Sequence, residues 1–154
     1  MTVSAIALAL HALAAVIWVG GMAFAYFFLR PAAGALQAPE RQKLWRGTFQ
    51  RFFPWVWVSV VLLLLTGYHL VFAVYGGFAG AGVHIHIMNG LGLVMMAIFA
   101  HVWFAPWKRF RAAVDKGDRD TAGKNLEQIR RFVAINLTLG LIVVAIASSG
   151  RYWP

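Results

Sequence analysis

The sequence predicts an all-α polytopic membrane protein: an antiparallel bundle of four transmembrane helices with both termini on the periplasmic side. Three observations carry that prediction. Of 154 residues, 61% are hydrophobic and only 12% charged, about half the charge of an ordinary soluble domain. Residues 2–29, 52–107 and 132–150 contain no Asp, Glu, Lys or Arg. All but one of the 14 Lys and Arg lie in the two blocks between these stretches.

A helix needs about 20 apolar residues to cross a bilayer. The first stretch supplies one span and the last another. The middle stretch is long enough for two, divided at the glycine-rich segment 76–82, which reads as a turn. The expected spans are 3–30, 52–75, 86–107 and 131–150, in a single membrane domain covering 1–154. The first is read as a span rather than a signal peptide, because no base precedes its apolar run. Basic loops stay on the cytoplasmic side. Loops 1–2 and 3–4 are therefore cytoplasmic, and the protein is expected to be multi-pass in a bacterial inner membrane. This placement accounts for the net charge of +9, which in a soluble protein would point to nucleic acid. Here it records topology, and no nucleic-acid partner is expected. The absence of Cys is compatible with any compartment.

Within the elements, Pro31 is expected to end the first helix. Pro39 and Glu40 suit the first turn of the second. That helix should run as a basic stem through Lys43 and Arg46, enter the membrane and bend at Pro54. Asp118 or Asp120 should cap the fourth helix near Thr121. Most Trp and Tyr residues fall near interfaces, as membrane aromatics do.

The histidines are the informative residues, because ionisable groups at membrane depth are costly and mark function. His11 and His69 each lie about five residues outward of mid-span, about 7–8 Å above the midplane. Two imidazoles at one depth on different helices suit the axial ligation of a haem b iron. The competing reading is a pair of interhelical hydrogen bonds. His84 and His86 stand at the outer start of the third span. With Met88 they form an alternative copper site; His86 is also a candidate for a haem propionate, or an ordinary interface residue. Arg151, the one outward base, is a propionate partner or a lipid anchor. Tyr68 stacks on a ring or simply packs, and Trp18 joins it among the cofactor-binding candidates. His101 and Asn136 share a depth on the cytoplasmic side and are expected to hydrogen-bond as a structural pair. Met22, Met95 and Met96 are read as packing residues.

Leu10-His11, Ile17-Trp18-Val19-Gly20-Gly21-Met22 and Leu29-Arg30-Pro31 resemble the opening of the CopD family of copper-resistance membrane proteins. The four-span layout with basic loops is similar too. The chain also resembles HemJ-type membrane proteins, protoporphyrinogen oxidases that bind haem b, in His11, the His86 region, His101 and Arg131 with Asn136. The HemJ likeness implies haem ligation by His11. Where those proteins carry a Lys near the outer start of the third helix, this sequence has Met88 or Asn89, a departure from porphyrinogen oxidation. His69 is an additional histidine able to complete an iron site. The CopD likeness implies copper handling.

The leading expectation is thus a haem b protein with bis-His ligation, performing electron transfer or redox chemistry in the outer half of the membrane. Its partner would be a quinone, superoxide, a porphyrin or a periplasmic redox protein. The alternatives are copper binding or transport, HemJ-like porphyrinogen oxidation, or a structural bundle. Whether it is an oxidoreductase stays open, as does homodimerisation through small-residue faces. No nucleotide-binding glycine loop occurs, and no carboxylate lies in any span.

Overall fold

A computed structural model describes residues 2–153, apart from the side chain of Arg151. The described residues are helical with short turns and no strand, and four helices are long and apolar enough to cross a membrane. Helix α1 spans Val3–Ala33, α2 Ala38–Tyr75, α3 Val83–Phe104, α4 Pro106–Lys116 and α5 Arg119–Ser149.

Helix α1 opens on Thr2, whose hydroxyl accepts from the Ala5 amide at 3.3 Å. It does not stop at Pro31 as the sequence predicts, but continues to Ala33. The reason is a π turn over Ala25–Leu29, which ends two residues before the proline and contains its i−4 residue, Phe27. Widening the spiral there relieves the ring clash and the missing N–H that otherwise break a helix. A second π turn covers Val16–Gly20.

Helix α2 has 38 residues, about 57 Å at 1.5 Å each. A hydrocarbon core of about 30 Å takes up only part of that length, so its basic N-terminal part forms a stem. Pro39 sits in the first turn and Pro54 is held inside the helix. The helix ends where Gly76 and Gly77 take φ of 69° and 109°, a left-handed backbone that favours glycine. A single 3-10 turn, Phe78–Gly80, then leads into α3.

The chain breaks between α3 and α4 at Ala105, ahead of Pro106. Helix α4 buries Trp107, Phe110 and Ala113 and turns its bases outward. It closes on Gly117, with φ 74°. Asp118 then caps α5, its carboxylate accepting from the Thr121 amide at 3.1 Å.

The tightest core lies at the basic end. Trp45, Phe49 and Phe53 recur every four residues on α2 and stack as one column, with Phe49 and Phe53 at 4.9 Å between ring centroids. Trp107 and Phe99 meet Phe53 edge-on at 5.4 and 5.6 Å. Polar ties hold the helices outside this column. Arg46 grips Asp115 with two bonds of 2.7 and 3.0 Å. Gln42 donates to the Arg119 carbonyl at 2.9 Å, and Arg109 donates to Asn125 at 3.0 Å.

The glycine-loop end is looser. There α1 packs on α2 and α3 on α5, but α3 buries nothing before Met95. Large apolar side chains such as Leu8, Leu65, Phe72 and Val94 stand exposed. On a chain of this hydropathy they form a lipid-facing surface.

Candidate functional site

The stripe of α1 that faces α2 carries Ala7, His11 and Ala14, at spacings of four and three. The two alanines are buried and small, so α1 comes close to α2 at this level. The His11 ring fills the space above Gly67: a Cβ on that glycine would lie 3.1 Å from His11 Cε1. His11 Nδ1 is 2.9 Å from the Thr66 hydroxyl oxygen. That hydroxyl donates its own proton back to the Leu62 carbonyl, the common habit of Thr inside helices. Its oxygen is then the acceptor for the imidazole, which assigns the proton of His11 to Nδ1. Nε2 keeps its lone pair. This is the arrangement by which a metal-binding histidine is oriented, with the far nitrogen donating and the near one free to ligate.

His69 lies three residues beyond Thr66 on α2, about 4.5 Å further along the axis and about 60° round it. Its Nε2 is buried and has no hydrogen-bond partner among the described residues. A buried ring nitrogen without a partner calls for an explanation.

The rim histidines diverge. His84 and His86 are two residues apart on α3, so they point about 160° apart around it. His84 is pressed against Gly150, where a Cβ would meet its Cβ and Cγ at 2.5 Å, and its ring lies 6.3 Å from Trp153. His86 turns to Phe78 of the loop, at 5.8 Å. Met88 is four residues from His84 and shares its side of the helix. Tyr68 also meets Phe78, edge-on at 6.0 Å, so it packs under the loop. Trp18 is 2% exposed and edge-on to Phe99. It lies seven residues below His11, about 10 Å along the helix, and belongs to the core. The side chain of Arg151 lies outside the described residues.

His101 and Asn136 are not joined. Asn136 donates to the Met95 carbonyl at 3.2 Å, and its carbonyl oxygen is buried without a partner among the described residues. The exposed His101 instead packs edge-on to Phe132 at 4.9 Å. Counting residues put these two at one depth, but Asn136 meets α3 at Met95, six residues and about 9 Å along the helix from His101.

The family model for copper resistance protein D, CopD, matches residues 46–149. The chain belongs to the CopD family. No curated protein and no solved structure matches it. The CopD segment takes in Thr66, His69, His84, His86, Met88, His101 and Asn136, while α1 with His11 precedes it. The HemJ likeness stays one of short motifs.

The geometry of this CopD-family chain fits a haem poorly. Bis-His ligation needs imidazoles on opposite porphyrin faces, so the two ligand-bearing helices must stand apart by the macrocycle. Here α1 and α2 touch, with His11 seated on Gly67. The two pockets described are partly open, hold about 20 Å³ each, and neither is lined by His11 or His69. Nor does any group of three or more His, Cys, Asp or Glu come together among the described residues. Thr66 is the residue that sequence reading missed. Its signal was available: a hydroxyl in an apolar run, close to the depth of His11.

Proposed function

We propose that this CopD-family membrane protein handles copper as its cargo, binding the ion through Nε2 of His11 and Nε2 of His69. The observation that carries this reading is the buried, unpartnered Nε2 of His69, one turn from the threonine that orients His11. Imidazole is a good copper ligand and thioether selects the cuprous ion. The spans contain no carboxylate, so a dehydrated dication would stand in low dielectric with nothing to neutralise it. Neutral ligands in such a place favour the singly charged Cu(I). His84 and Met88, four apart on α3, form a second imidazole–thioether pair nearer the rim.

In this reading the protein sits in a bacterial inner membrane, with the basic loops in the cytoplasm and the termini and histidine end on the periplasmic side. Copper meets the rim first and the His11–His69 level next. The experiment is metal analysis of the detergent-purified protein from cells grown with ample copper and haem, alongside its absorption spectrum. Stoichiometric copper in a protein without a Soret band, lost in His11→Ala and His69→Ala, is the expected result. A Soret band with sharp reduced α and β bands, shifted in the same variants, would replace copper by haem b. A colourless, metal-free protein would leave the bundle a structural role.

A further inference from the structure

At the basic end, three helices converge on a small cavity of about 20 Å³ lined by Ala25, Tyr26, Arg30, Trp45, Phe49, Arg130 and Val133. Two of these side chains bring buried donors with no acceptor among the described residues: the indole N–H of Trp45 and Nε of Arg130. Trp45 is 3% exposed, and its N–H is buried with it. Arg130 lies over the Trp45 ring at 5.6 Å, and Arg30 lies over Tyr26 at 5.2 Å. Both cations are thus steered by aromatic faces rather than by acids. Arg30 and Arg41 act on Arg130 as like charges. The one carboxylate near it, Glu127, is 3.8 Å away and 60% exposed. Positive charge and orphan donors are thus gathered with only the exposed Glu127 carboxylate beside them.

We propose that this pocket binds a phosphate group, with Arg130 and Arg30 as its cationic partners and the Trp45 N–H as a neutral donor. Guanidinium groups hold phosphate oxygens through paired N–H bonds. Arg30 follows the charge-free stretch 2–29, and Arg130 stands just before the charge-free stretch 132–150. That is the level at which headgroup phosphates lie, and basic pockets between membrane helices take anionic headgroups. The shared chemistry is a phosphate, carried by a lipid or free in solution.

The full-length protein in detergent is titrated separately with phosphatidylglycerol, inorganic phosphate and phosphatidylcholine, reading the melting temperature and, for lipids, retention in native mass spectrometry. A saturable rise with phosphatidylglycerol identifies a lipid headgroup. A saturable rise with inorganic phosphate alone identifies a soluble anion. In either case Arg130→Gln and Trp45→Phe should raise the half-saturating concentration about tenfold or more. Lys108→Gln, which removes an exposed base elsewhere, should leave it unchanged. If Arg130→Gln does not fold, Arg30→Gln makes the same test from α1. No response, an equal response to phosphatidylcholine, or an equal loss in Lys108→Gln would overturn the proposal.

Discussion

His11 Nδ1 and the Thr66 hydroxyl oxygen meet at 2.9 Å across α1 and α2. Because Thr66 spends its proton on the Leu62 carbonyl, the contact fixes both the ring orientation of His11 and the nitrogen that carries its proton. The side chain that orients a ligand matters nearly as much as the ligand. Thr66→Val keeps the shape and removes the acceptor. We expect it to weaken copper binding about 10–100-fold, measured by chelator competition, while His11→Ala abolishes binding. Equal affinity in Thr66→Val and wild type would show that His11 is not a ligand held from behind.

Gly67 and Gly140 separate site geometry from stability. A Cβ on Gly67 meets only the His11 ring, at 3.1 Å, so Gly67→Ala should disturb copper binding more than melting. A Cβ on Gly140 meets Val19 at 2.9 Å and Met95 at 3.1 Å, inside the packed core. Gly140→Leu should cost about 1–3 kcal/mol through overpacking, read as a lowered denaturation midpoint in detergent.

Asn136 ties α5 to α3 through the Met95 carbonyl. Interhelical hydrogen bonds in membranes average about 0.6 kcal/mol and reach about 1.7, so Asn136→Ala should destabilise within that range. His101→Ala should do little, since the ring is exposed. The double variant should be additive. A substantial coupling energy between the two positions would restore the direct pair.

The Arg46–Asp115 bridge predicts a pH dependence. The Arg46 guanidinium, by hydrogen bond and charge, holds the Asp115 carboxyl below its ordinary value. A depressed folded pKa means that the unfolded state binds the proton first as pH falls. The bridge therefore contributes above the ordinary aspartate range, about pH 4, and its contribution fades as pH falls through the lowered folded value. The melting-temperature difference between wild type and Asp115→Asn should be present at neutral pH and shrink towards zero in acid. It should also shrink in high salt, because the pair is solvent-exposed. A difference that grows in acid would contradict the assignment.

The linear pattern was enough for the bundle, because charge is excluded from hydrocarbon and the bases mark where the chain leaves it. The expected levels of His11, His69, His101 and Asn136 came from the same count, because each residue adds a fixed rise to a helix. The family motifs in α1 pointed to CopD, the family that the downstream segment 46–149 matches. Local signals such as the Asp118 cap and the Gly76 stop could likewise be read along the chain. Pro31 could not, since the π turn that accommodates it depends on backbone geometry rather than on residue type.

What the sequence could not provide was rotation. In a soluble helix the apolar stripe marks the inward face. These spans are apolar all round, because lipid is as apolar as the core, so helix orientation is decided by close packing and a few polar contacts. Only the tertiary structure could turn His11 onto Thr66 rather than towards a porphyrin and split His84 from His86. It also gave Asn136 to Met95 instead of His101, and gathered Arg30, Trp45 and Arg130 from three helices around one pocket.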